Sequence, residues 1–534
     1  MLKTGIHIIF FLFPAILCFA QEESFKSELP LVFINTEGQN IPDEPKLIAE
    51  MGIIWNGPGE ENRADDPYNH YNGKVGIEIR GSSSQMFPKK SFSFETRDEQ
   101  GEDMDFPVLG LPEEEDWILY APYSDKTLIR NVLTFSLAKP LGRYASRCRF
   151  VELFLNGNYQ GLYVLMEKIK RESTRVDIAT LNPDETAGTD LTGGYIIKID
   201  KTTGSGGGGW RSQYSNANGK HTFYQYEEPE DDEIVPVQED YIQNYVNEFE
   251  KAVFNKYFEG DNSYRNYADV GSFIDFILIS ELTKNVDAYR LSTFLHKDKN
   301  GKLNAGPIWD FNLAYGNADY YKAWLWTGFQ INGNLQDDYW SNPFWWLGMW
   351  GDRLFINQMK CRWAELREGP WSDERIMEVT DSLINQMGEA IDRNFERWPV
   401  LGKYIWPNYY IGSTYQEEVN WMKDWIDERL NWLDSNLPGE CGGDVPPLID
   451  EFSAVVYPNP FDSEIKVEIA SDVNITLTLQ LYNSSGMLIK EVPLPVVQGE
   501  QTFPVNSDRV PRGIYFYRLI KGFNVIQNGK LVKY

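Results

Sequence analysis

The stretch from Asn285 to Asn317, NVDAYRLSTFLHKDKNGKLNAGPIWDFNLAYGN, constrains the fold more than any other. TFLHK and KLNAG have the composition of short strands. The Lys-Asn-Gly-Lys between them (Lys299 to Lys302) is a strong hairpin signal, because Asn-Gly accepts the positive φ of a tight turn. An acid stands at each end, Asp287 before the hairpin and Asp310 after it. A hairpin brings its ends together, so 23 residues of separation along the chain become a short distance in space. Two carboxylates placed this way suit phosphoryl transfer, one accepting a hydroxyl proton and one holding Mg²⁺. They suit equally an extracellular hairpin carrying two solvated acids.

At 534 residues there is room for two or three domains and a large core. Lys and Arg number 50 against 79 Asp and Glu, a net charge of -29, which argues against nucleic acid or an anionic membrane as a partner. An aromatic content of 14% with 17 Trp is too high for a disordered chain. Residues 1–20 read as a secretory signal peptide: Lys3, then an apolar core from Ile8 to Leu17, then Cys18-Phe19-Ala20 as the cleavage region. That run is short for a membrane span, and no other stretch is long and apolar enough for one. Cys148, Cys361 and Cys441 remain, which predicts one disulfide and one free thiol. Cys361 is expected to pair with Cys441, leaving Cys148, in the apolar context RCRFVELFL, as a buried thiol. No Cys/His spacing fits zinc.

Val75 to Gly81 and Lys89 to Thr96 alternate apolar and polar residues and predict paired antiparallel strands. Ser124 or Asp125 is placed to cap a helix with Leu128, Val132 and Phe135 on its apolar face. FVELFLNGNYQGLYVLMEKIKR predicts a hairpin turning at Asn156-Gly157, and Gly193 to Lys201 a further strand. The run Gly204 to Trp210 lacks the residues of a phosphate-cradling loop and is expected to be a flexible surface loop. Helical periodicity begins at Gln238, returns from Val270 to Asn285, and recurs around Glu374 to Phe395 and Gln416 to Leu433. Trp340, Trp345, Trp346 and Trp350 could form a sugar-stacking platform, but their spacing among Leu, Phe and Met favours core. Pro438 to Glu451 reads as a linker. Beyond it, short alternating strands predict a β-sandwich with no acid pair, no nucleophile beside a base, and no Cys.

Several pieces in order resemble the CotH kinase family, known from spore-coat proteins: IRGSSSQMFPKKSFSFE, DWILYAPYSDKTLIRN, VELFLNGNYQGLYVLMEKIKR, KNVDAYRLSTFLHK and GPIWDFNLAYGN. The resemblance implies an atypical protein-kinase-like fold that uses ATP and Mg²⁺ and has neither the usual glycine-rich loop nor the HRD motif. It implies that Asp287 is the catalytic-loop aspartate and Asp310 the metal-binding one. Lys90 and Arg80 are the candidates for nucleotide phosphates, and Glu167 for pairing with a lysine or standing near the nucleotide. These three also fit plain surface charge on amphipathic strands. Asp125, Arg130 and Asn131 belong to the pattern too, and a helix cap with an ion pair accounts for them. The family often has a second acid where this chain has Asn312, which offers Mg²⁺ a neutral oxygen and no charge. The last 85 residues resemble type IX secretion sorting domains of Bacteroidetes-like bacteria, through YPNPF, LYNSSGMLI, GIYFYRL and GKLVKY.

The expected fold class is α+β. A kinase-like domain (21–437), strand-rich first and helical later, is followed by a linker (438–450) and a small Ig-like β-sandwich (451–534). The expected function is a secreted or cell-surface kinase transferring the ATP γ-phosphate to protein Ser/Thr hydroxyls. Its expected partners are a protein substrate and, through 451–534, the type IX machinery. The alternatives are a degenerate surface-binding protein on the same scaffold and, less favoured, a glycan-active enzyme using the Asp pair.

Overall fold

The computed structural model describes residues 24–202, 208–333, 340–442, 445, 452–471, 475–483, 486–497, 499–508, 510–521 and 524–534. The expected signal peptide and most of the expected linker lie outside them.

The first half is built of strands, as its alternation predicts. Two short segments, β1 (Lys26–Ser27) and β4 (Asn62–Arg63), pair with each other. Seven longer strands close into a barrel: β2 (Leu31–Asn35), β3 (Leu47–Ile54), β5 (Tyr71–Arg80), β6 (Ser91–Arg97), β7 (Asp116–Tyr120), β8 (Cys148–Leu155) and β9 (Asn158–Glu167). The order is β2-β3-β5-β6-β7-β9-β8, and a parallel β2–β8 pairing shuts it, leaving no open edge. Period-2 alternation sends Ile77, Phe92, Phe94, Trp117, Leu119, Tyr163 and Leu165 inward to fill the barrel. The opposite faces of β7 and β9 carry Ile118, Leu162, Val164 and Met166, which join a second core shared with the helices. Both faces of these strands are therefore buried, which is why DWILY and LYVLM read as nearly unbroken apolar runs. The expected turn is present, with Asn156 at φ 48° and Gly157 at φ 75°.

A five-stranded antiparallel sheet follows, in the order β11 (Gly209–Ser215), β12 (His221–Glu228), β10 (Tyr195–Ile199), β13 (Thr293–Lys297), β14 (Leu303–Ala305). The last two strands are the predicted hairpin, in register Leu295↔Ala305 to Lys297↔Leu303. Residues 203–207 of the glycine run lie outside the described residues. Its end is strand rather than surface loop, with Trp210 buried. A Cβ on Gly209 would sit 2.0 Å from the Tyr224 carbonyl oxygen, so backbone packing requires glycine there.

The helices are α1 (Arg130–Ala138), α2 (Pro236–Phe254), α3 (Val270–Thr283), α4 (Phe344–Trp350), α5 (Arg353–Glu368), α6 (Asp373–Met387), α7 (Ala390–Arg397) and α8 (Tyr415–Asn436). Helix α1 starts later than the cap at Ser124 or Asp125 predicts, because Leu128 is left-handed at φ 66°. Asp125 instead folds the preceding turn, accepting hydrogen bonds from the Thr127 and Arg130 amides and pairing with the Arg130 guanidinium at 2.5 Å. The helix expected over 374–395 divides into α6 and α7 at Gly388, φ 48°. Trp345 and Trp346 are fully buried against Phe273 and Phe276, so they are core and not a sugar platform. Cys361 and Cys441 form the expected disulfide. Cys148 is the free thiol but is only half-buried, and its environment pushes its pKa up to about 12.

The C-terminal part has a three-stranded sheet, β15 (Phe452–Tyr457), β16 (Glu464–Ser471) and β19 (Gly499–Asn506). Its four-stranded partner runs β18 (Leu488–Val496), β17 (Ile475–Asn483), β20 (Gly513–Lys521), β21 (Asn524–Lys533). Ile465, Val467 and Val505 of one sheet share a core with Leu477, Leu479 and Leu519 of the other, the layering of a sandwich. Among the described residues no helix is long and apolar enough to cross a membrane.

Candidate functional site

Helix α3 is almost wholly buried and ends at Lys284, left-handed at φ 43°, so the chain leaves its C-terminus along a fixed path. Lys284 locks that exit, its ammonium donating to the carbonyls of Lys322, Leu325 and Thr327. Asp287 follows three residues later. The Arg290 guanidinium, itself buried, donates to Asp287 Oδ1 at 2.7 Å. Across the hairpin, Asp310 takes a left-handed backbone at φ 61°, a conformation Asp and Asn tolerate better than most residues. Asn285 ties the two ends together, its side-chain amide donating to the Asp310 carbonyl at 2.9 Å. From the other side the Asn131 side chain accepts from the Phe311 amide at 2.6 Å, so α1 also anchors this segment.

Asp287, Asp310 and Asn312 line one cavity of about 430 Å³, within the range of small-molecule sites. Its other walls are the outer face of the barrel (Glu78, Arg80, Ser91, Ser93, Met166) and the five-stranded sheet (Lys198, Glu227), with Asp200 following β10. Burial, together with the charges of Asp287 and Asp200, raises the Asp310 carboxyl to about 6, while Arg80 and Lys201 pull the other way. Lys198 pairs with Glu227 at 2.5 Å, bridging β10 and β12. Arg80 lies over the Trp309 ring at 5.6 Å.

Of the six residues singled out from the sequence, the cavity gathers Arg80, Asp287, Asp310 and Asn312. Lys90 and Glu167 are not among its lining residues, and strand parity explains both. Residues 78, 80, 91 and 93 face outward to the cavity, so Lys90 falls on the same side as Phe92 and Phe94. The Lys90 ammonium donates to the Gln85 carbonyl at 2.5 Å. At the end of β9 and just past it the cavity takes Met166, Lys168 and Ile169, passing over Glu167, whose side chain points the other way. Glu167 is instead fully buried, accepting from the Arg147 amide and guanidinium and from the Tyr144 hydroxyl. Sequence reasoning missed Lys168, Lys198, Asp200 and Glu227. Lys198 and Asp200 lie on one parity of IIKID, a signal that existed but needed the neighbouring wall to give it meaning.

Asp310, Asp287 and Asp200 share the cavity and influence one another electrostatically, and with the Asn312 amide oxygen they are hard donors of the kind Mg²⁺ takes. Among the described residues the acids already gathered at metal spacing are instead Asp105, Glu114 and Glu115. A divalent cation would offset the burial and the neighbouring acid charges that raise the Asp310 pKa.

A closed strand barrel and a helical body, with a carboxylate-lined cavity where they meet the five-stranded sheet, define an α+β domain with an open polar cleft, followed by a separate pair of β-sheets. Residues 77–433, more than half the chain, match the family described as CotH kinase protein, and the chain belongs to that family. Residues 455–533 match the secretion system C-terminal sorting domain, which implies export through type IX secretion to the cell surface or outside. No curated protein matches the chain.

Proposed function

We propose that the protein is an exported, atypical kinase that transfers the γ-phosphoryl group of ATP to a Ser or Thr hydroxyl of a protein. One observation carries the reading: Asp287 and Asp310 meet in a single cavity that also holds Arg80 and the Lys198–Glu227 pair. A lysine held by a glutamate, one acid for the acceptor and one for a metal are the parts a kinase-like active site requires.

In this reading Asp287 orients the acceptor hydroxyl and accepts its proton, with its carboxylate held in place by Arg290. Lys198 and Arg80 steady the phosphates, and Glu227 keeps Lys198 extended into the cavity. Asp310 and Asn312, with Asp200 beside them, are the residues that would hold Mg²⁺. Held by these residues, the ion would supply positive charge to offset that of the phosphates.

A second reading, a surface-binding protein on the same scaffold, draws on the exposed rings of Tyr321, Trp406 and Tyr409. Calorimetry with Mg·ATP separates the two. The kinase reading expects binding by the wild-type protein and its loss in Asp310→Ala, with labelled phosphate transfer abolished in Asp287→Ala. Binding in neither protein, or undiminished transfer by Asp287→Ala, would overturn it.

A further inference from the structure

The loop between β5 and β6 has no role in the account above, yet Gly81, Ser82, Ser83 and Ser84 all line the cavity that contains Asp287 and Asp310. We propose that this loop is a phosphate clamp, closing over the β- and γ-phosphates of a nucleoside triphosphate with serine hydroxyls as donors. The inference rests on the phosphoryl-transfer reading and adds the element that grips the donor.

Charge leaves a place for neutral donors beside Arg80 and Lys198. Seven carboxylates line the cavity against four cations, Arg80, Lys168, Lys198 and Lys201. Lys198 is engaged by Glu227, and Lys168 stands 3.6 Å from Asp116. Arg80 stands within electrostatic reach of Asp310, Glu227 and Glu78. A triphosphate carries roughly four negative charges, and a single Mg²⁺ removes two of them. Hydroxyl groups donate to the remaining phosphate oxygens without being drawn into ion pairs with the acids.

The loop is held at its base and exposed at its tip. Gln85 Nε2 donates to the Gly81 carbonyl at 2.7 Å and to Asp43 Oδ1 at 2.8 Å. The Lys90 ammonium holds Gln85 in turn through its carbonyl, which makes Lys90 a positioning residue of the loop. Gly81 has φ +101°, and Ser84 Oγ lies 2.1 Å from where a Gly81 Cβ would stand. Only glycine therefore lets the chain turn here with the Ser84 hydroxyl folded back over it. Ser82 and Ser83 remain exposed, separated from Arg80 by Gly81 alone.

The test uses the full chain carrying Ser82→Ala, Ser83→Ala and Ser84→Ala together, titrated with Mg·ATP and separately with adenosine. Removing charge-assisted hydrogen bonds to phosphate is expected to weaken Mg·ATP about tenfold or more and to leave adenosine within about twofold. An apo melting temperature equal to that of wild type establishes that the variant folds. A triple variant that keeps the wild-type ratio of Mg·ATP to adenosine affinity would overturn the clamp while leaving the kinase reading intact. Phosphate appearing on Ser82–Ser84 by mass spectrometry, with Mg·ATP affinity unchanged in the variant, would make the loop an acceptor and overturn the clamp too. A wild-type protein that binds adenosine but not Mg·ATP would overturn both readings together.

Discussion

Asp310→Asn is expected to stabilise the protein while removing its activity. The folded-state pKa of Asp310 is raised from 3.8 to about 6 by burial and by the charges of Asp287 and Asp200. Between about pH 4 and pH 6 the folded state keeps a proton that the unfolded state has released. Stability therefore falls as pH rises through that window, and the deficit is complete above it. About two pKa units correspond to roughly 3 kcal/mol at full weight. Asp310 is only partly shielded from solvent, which reduces the expected penalty to about 1–2 kcal/mol. Asn has nearly the same shape, carries no charge, and tolerates the φ of 61° at this position. Thermal melts in EDTA should therefore coincide at pH 4, with the variant about 2–4 °C higher at pH 7.5. Mg²⁺ should raise the wild-type transition at pH 7.5 and leave the variant unmoved, since only the wild type binds it well. A variant that melts at or below wild type at pH 7.5 in EDTA would refute the claim that burial and the neighbouring acids destabilise the ionised Asp310.

Lys198→Met should cut phosphate transfer at least about tenfold, mostly through the KM for ATP, whereas Lys90→Met should act only through the loop it braces, with a smaller effect. Glu167→Leu leaves the Arg147 guanidinium without its carboxylate and should cost about 2–3 kcal/mol in a denaturant melt, less than a fully buried pair because Arg147 is partly hydrated. The KM for ATP should not change in that variant, and a large rise would return Glu167 to the nucleotide site. Cys361→Ser opens a bridge across 80 residues of chain and should destabilise by about 4 kcal/mol on loop-entropy grounds. Dithiothreitol should lower the wild-type melting temperature to that of the variant and leave the variant unaffected.

Local sequence determined what depended on local geometry. Asn300-Gly301 set the hairpin, with Asn300 at φ 54°, and the hairpin brought Asp287 and Asp310 into one site. Alternation set the strands β5 and β6, the Asn156-Gly157 turn set the β8–β9 hairpin, and the apolar run from Val270 set the buried helix that delivers Asp287. Cys361 in α5 and Cys441 beyond α8 joined as expected, leaving one free thiol as the cysteine count predicted. What the chain could not announce was which face of a strand meets which wall, because a period of two gives two faces and no label for either. Lys90 and Glu167 lie one residue from positions that do line the cavity, and only closure of the barrel decides that Ser91 and Lys168 face it. The same holds for Lys198, Asp200 and Glu227, which become part of the site only because β10 pairs with β13 of the hairpin and with β12 on its other side in one sheet. Charge and alternation are properties of a segment, but a binding site is a property of the distance between segments, and that distance is set by packing.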